Sequence, residues 1–183
     1  MERLYARKIL EDQFARSLAL DKYKLILHTV NMIDVSKDYE FQKTFNAFYR
    51  IRRNAEWRRW FYGLFESAKK NHFSFEDVIN RLYAETGNVE ASFSSKLLAT
   101  IDPDKPIWDQ YVLHNLGLEL KGNTSQERVK NAVMVYGRIE EWFENYLQTK
   151  EAHDNIAEFD RWLPNYTWLS AVKKIDYLLW SKR

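Results

Sequence analysis

The residues with most chemical content lie between positions 82 and 118, in the stretch LYAETGNVEASFSSKLLATIDPDKPIWDQYVLHNLGL. It reads as a helix, a turn at Gly87, a second helix, a Pro-containing loop, and then Asp109 opening a third helix. The turn after Gly87 exposes backbone N–H groups at Asn88–Ala91, a helix start that suits a phosphate oxygen. Asp109 has two roles open to it. Its carboxylate can cap Tyr111 or Val112, or it can face a cleft as a functional acid; capping is the commoner role for an aspartate so placed. Trp108 beside it can line a pocket or pack into the core. Lys96 flanks an apolar face bearing Phe93 and Leu97, so its stem can cover the core.

A second group is the arginine cluster Arg50, Arg52, Arg53, Arg58 and Arg59, which has the composition of a phosphate-binding patch. On one continuous helix Arg52 and Arg59 would share a face while Arg50, Arg53 and Arg58 pointed elsewhere; a break near Asn54 would change that geometry. Other chemistry is poorly supported. Four histidines (His28, His72, His114, His153) show no metal-ligand spacing, so no metal is expected. There is no GxSxG elbow, no phosphate-binding GxxxxGK[ST] loop and no GxGxxG, so no serine hydrolase, P-loop enzyme or dinucleotide cofactor is expected. Cysteine is absent, which excludes disulfides, thiolate metal sites and a cysteine nucleophile.

The elements that must position these residues are helical. Five glycines and three prolines among 183 residues leave few breaks, and no segment alternates long enough for a convincing strand. Helices are expected over 2–19 and 22–33. Ser36 is expected to start a third, which continues with a break near Asn54 to about Lys70. Ser74 with Asp77 forms a capping-box pattern for the helix that stops near Gly87. Val89, Phe93, Leu97 and Ile101 mark the buried face of the next. Thr124 or Ser125 opens a long helix to Leu147, followed by helices near 155–163 and 168–180. In the last, Ile175, Leu178 and Leu179 face the core, and Lys173 and Asp176 are expected as an exposed ion pair. The fold class is therefore all-α, a single globular domain over 1–183 with about eight to ten helices.

Net charge is +2, too balanced to identify a nucleic-acid binder, but its distribution is uneven. Residues 41–70 hold eight basic side chains against Glu56 and Glu66, and 139–163 hold seven acids against Lys150 and Arg161. Aromatic residues make up 16% and are expected mainly in the core. The opening MERLYARKILEDQFARSL lacks the apolar stretch of an export signal, and apolar runs are too short to span a bilayer. A cytoplasmic location without a membrane partner is expected.

The helix–turn–helix followed by Pro-Ile-Trp-Asp-Gln-Tyr-Val and then Leu-Gly-Leu resembles the helix-hairpin-helix DNA glycosylase superfamily. There a hairpin precedes a Val-Asp-Thr-His-Val-type motif and a short helix ending in Leu-Gly. Asp109 matches the motif's catalytic aspartate, Val112 its apolar residue, and Leu116-Gly117 the helix end. Ser92-Phe93-Ser94-Ser95-Lys96 is similar to the Ser-Phe-Ala-Ser-Lys run of uncharacterised bacterial proteins related to 8-oxoguanine DNA glycosylase. The resemblance implies a helix-hairpin-helix glycosylase-like fold, double-stranded DNA as partner, and flipping and removal of a damaged base. It implies that Asp109 stabilises positive charge on the sugar or helps activate a nucleophile. Gly87, Asn88 and Val89 would hold a backbone phosphate, with Lys96, Arg52 and Arg53 as further DNA contacts and Trp108 lining the base pocket. The chain departs from the pattern at two points. Gly87 stands alone where a Gly-x-Gly pair is usual. Aligned on Asp109, the Schiff-base lysine position of bifunctional members falls on Glu90 or Ala91, which implies a monofunctional enzyme. Two alternatives stand beside it: a non-catalytic DNA-binding or defence-associated module of the same fold, and an all-α protein-interaction domain.

Overall fold

Helices in this protein begin where a short polar side chain can accept from the first free amides. The structure, a computed structural model, describes residues 3–13 and 18–182. Asp38 caps α3 (Tyr39–Tyr49), Asn54 caps α4 (Ala55–Asn71), and Ser74 caps α5 (Phe75–Thr86). Asp109 caps α7 (Gln110–Leu116), Thr124 α8 (Ser125–Leu147), Thr149 α9 (Lys150–Trp162) and Ser170 α10 (Ala171–Ser181). α1 (Ala6–Gln13) and α2 (Leu18–Thr29) precede these, and α6 (Ala91–Ile101) starts without a side-chain cap. Ser74 with Asp77, and Thr124 with Glu127, close reciprocal capping boxes. A 3₁₀ turn at Pro164–Tyr166 joins α9 to α10. The described residues thus form ten α-helices and no strand, arranged around one core.

Several expected boundaries move, each for a local reason. The hydroxyl and N–H of Ser36 are occupied by Asp34 Oδ1, so Asp38 rather than Ser36 opens α3. The break at Asn54 is real, because its Oδ1 takes the Trp57 N–H at 2.8 Å. α9 begins at Thr149, earlier than expected, and Asn155 lies inside it. Asn155 is buried, accepting from Ala6 N–H at 2.9 Å and donating to the Leu4 carbonyl at 3.2 Å, which ties the start of the chain to α9. Of the helix expected over 2–19, α1 is seen; residues 14–17 lie outside the described residues. α10 starts at Ser170 rather than Trp168.

The core has two textures. Between α3 and α4 it is a cluster of rings: Phe41, Phe45, Phe61, Tyr62 and Phe65 meet at centroid distances of 5.3 to 6.4 Å. Around α6 and α10 it is mixed. α6 buries Ala91, Ser94, Ser95 and 97–100, whereas of the expected stripe only Leu97 is buried and Val89, Phe93 and Ile101 are half-buried at its margin. α10 buries Ile175, Leu178 and Leu179 as expected, but also Lys173, Lys174 and Asp176. Among the described residues no helix is long and apolar enough to cross a membrane.

Candidate functional site

The hairpin between α5 and α6 turns on Gly87, whose φ of 66° an L side chain reaches only with strain. Its N–H donates to Tyr83 O at 2.9 Å, and the Asn88 N–H donates to Thr86 Oγ1 at 3.2 Å. Both amides are therefore engaged within the protein, and the amides opening α6 are those ahead of Ser94, whose N–H is the first to find an intrahelical carbonyl, that of Glu90. Gly87 and Asn88 are exposed and Val89 is half-buried. Glu90, at the helix start, is buried, and both its carboxylate oxygens accept from Arg53 Nη2, at 2.7 and 3.0 Å. The Arg53 guanidinium also lies over Trp57 and Phe93, at 5.7 and 5.6 Å. Arg53 thus fastens the start of α4 to the hairpin, while Arg52 is exposed to solvent.

Beyond α6 the chain runs as a loop, exposed at Asp102, Asp104 and Lys105 and buried at Pro106 and Trp108, which must satisfy its inward backbone groups without a regular helix. Side chains from three helices do so. The Pro103 carbonyl accepts from Ser170 Oγ at 2.7 Å and that of Lys105 from Lys173 Nζ at 2.6 Å. The Pro106 carbonyl accepts from the Tyr136 hydroxyl at 3.0 Å. Ile107 N–H donates to both Asp176 oxygens, at 3.1 and 3.3 Å, and Trp108 N–H to Ser95 Oγ at 2.9 Å. The next residue is Asp109, whose Oδ1 accepts from Tyr111 N–H at 2.9 Å. Its position is fixed by both the loop behind it and the helix in front.

Lys96 reaches the same neighbourhood from α6. Its ammonium stands over the Tyr49 ring at 5.6 Å and the Phe93 ring at 5.4 Å. Burial lowers its pKa below the ordinary lysine range, and the Asp109 carboxylate pulls it partway back. Asp176 is pushed up by burial, held back by Lys173 and the Ile107 N–H, and raised further by the charge of Asp109. Asp109 therefore lies within electrostatic reach of one partly buried amine and one buried carboxyl. Among the described residues Lys96 and Asp109, thirteen positions apart in sequence, form no ion pair; the carboxylate acts on the amine only through its field.

Other expected residues are placed differently. Trp108 is only 6% exposed and extends a stack with Phe75, parallel at 6.4 Å, and then Tyr136, at 4.0 Å from Phe75. Its indole is part of the core. The Lys173–Asp176 pair is not exposed, as its spacing suggests, but 3% and 7% accessible, with 2.8 Å between Nζ and Oδ2. Glu90, Ser95 and Lys173 are residues that sequence reasoning missed as determinants of the site; the hint at Ser95 is the run of small polar residues in α6. Among the described residues no group of three or more His, Asp or Glu is placed to hold a metal ion. Compared with protein-family models, curated proteins and solved structures, the chain matches none.

Proposed function

We propose that this all-α protein is a helix-hairpin-helix glycosylase-like protein that binds double-stranded DNA and excises a damaged base using Asp109. The observation that supports this reading best is the place of Asp109 at the head of α7, directly after a loop held at Pro103, Lys105, Pro106, Ile107 and Trp108 by side chains of α6, α8, α10 and the α10 cap. In the proposed reaction the C1′–base bond breaks, and the base leaves with that electron pair and takes a proton from solvent. Asp109 offsets the positive charge that develops on the sugar; a water then bonds to C1′ and gives up a proton to the carboxylate, which leaves an abasic sugar.

A second reading, binding without excision, is favoured by the Trp108 indole, which packs into the core beside Asp109 and leaves that carboxylate as a helix cap. Base release from a panel of damaged duplexes separates the two. The first reading expects release that Asp109→Asn slows by about a hundredfold or more. Salt-sensitive binding without release would leave the second reading. No binding at low salt would end both.

A further inference from the structure

A cleft of about 390 Å³ opens between α3 and α4, on residues the excision reading does not use. Its walls include Tyr39 and Lys43 from α3, and Arg58 and Arg59 from the second turn of α4. Asn46 and Ala55 lie between them. We propose that this cleft binds a nucleoside 5′-monophosphate unit, either free or as the phosphorylated 5′ end of a DNA strand.

Charge is the first reason. Three cations line the cleft, and among the described residues neither Arg58 nor Arg59 has an ion-pair partner. The acid nearest to them on α3, Glu40, is 76% exposed and meets Lys43 only at 3.7 Å. Such a loose, solvated contact offsets little of the field. Two unpaired guanidiniums and an ammonium around one concavity suit a phosphate dianion, which guanidinium grips by paired N–H donors.

The floor is the second reason. The Tyr62 hydroxyl meets Asn46 Oδ1 at 2.8 Å and the Gln42 carbonyl at 3.2 Å, and Gln42 Nε2 is committed to Val35 O at 2.9 Å. With its oxygen held by Tyr62, Asn46 keeps its Nδ2 donors for a ligand. Arg58 is near enough to Tyr62 to pull down a hydroxyl pKa that burial raises. Arg58 is half-buried beside this polar floor, and Arg59 is exposed. The Asn54 cap takes the Trp57 N–H, which leaves the first α4 amides, beginning at Ala55, open on the same cleft.

Tyr39 is the third reason. Its ring is 71% exposed at the cleft wall and stacks on no other ring among the described residues. An exposed tyrosine beside a phosphate site gives a base a face to stack on, and the volume admits a unit of nucleotide size. Phosphate and base are thereby read by different walls.

The test is amide chemical-shift titration of the full chain at low salt with thymidine 5′-monophosphate, thymidine and inorganic phosphate. Anisotropy with a short single strand, with and without a 5′-phosphate, runs in parallel. The monophosphate is expected to move the amides of Asn46, Ala55 and Arg59, and thymidine is not. Arg58→Glu/Arg59→Glu should weaken binding at least tenfold with an unchanged thermal melt. Tyr39→Ala should weaken the monophosphate severalfold while leaving inorganic phosphate unaffected. Preference for the 5′-phosphorylated strand over the monophosphate assigns a strand end, and the reverse assigns a free nucleotide. No shift at millimolar ligand would overturn the proposal. So would binding that survives the double charge reversal, or equal binding of monophosphate and inorganic phosphate. The monophosphate and phosphate titrations read a cleft that shares no residue with the Asp109 site, so this proposal and the excision reading fail separately.

Discussion

The α3–α4 core and the α6–α10 core are held by different physics. In the first, rings fill space, and stability comes from area removed from water, about 1.5–3 kcal/mol for each fully buried large side chain. Such packing is non-directional and fixes no single atom closely. In the second, a non-helical loop lies against the helices, and five of its backbone groups are met by particular side chains. Directional bonds in a low dielectric are costly to leave unmade, so this half is over-determined where the other is forgiving. Asp109 and Lys96 project from the over-determined half. The α3–α4 cleft opens over the forgiving one, where only the Tyr62–Asn46–Gln42 floor is directional.

The contrast can be broken most severely at Asp176. Asp176→Ala strips the buried Lys173 ammonium of its counter-charge and the Ile107 N–H of its acceptor, an expected loss of about 3–5 kcal/mol. Urea unfolding with unchanged slope would measure it. A loss below about 1 kcal/mol would mean that the buried pair is dispensable and the two halves are alike.

A milder test removes one atom. Ser95→Ala takes away the acceptor of the Trp108 N–H, and the expected cost is about 1–3 kcal/mol. Because Trp108 precedes Asp109, faster hydrogen exchange should spread from Trp108 to Tyr111. Exchange changes confined to α6 would show that Ser95 does not position the loop.

The smallest effect is expected in the aromatic half. Tyr62→Phe keeps the ring packing and loses only a hydroxyl, for about 0.5–1.5 kcal/mol. The ring amides and side-chain shifts around Phe45 and Phe65 should stay in place. A larger loss would give this half a directional network of its own.

Much of the helical frame was legible because capping is local. Asp109, Ser74, Thr124 and the break at Asn54 each act within three residues, so short-range spacing identifies them. Ser36 misled for the same reason in reverse: Asp34, two residues earlier, occupies it. Lys173 and Asp176 misled because an i, i+3 pair of opposite charges looks alike in sequence whether solvated or buried. The deciding partner of Lys173 is a carbonyl 68 positions away, at Lys105.

Composition and local pattern, then, determined that the chain is all-α, where most helices start and stop, and that Asp109 heads α7. Those properties rest on backbone dihedrals and hydrogen bonds within a turn or two. Only the tertiary structure decided that Lys96 lies over the Tyr49 and Phe93 rings, that Arg53 is spent on Glu90, that Trp108 belongs to the core, and that Arg58 and Arg59 share a cleft. Each of those depends on which helix packs beside which. That choice is set by burial summed over the whole chain, a quantity that no short window of sequence contains.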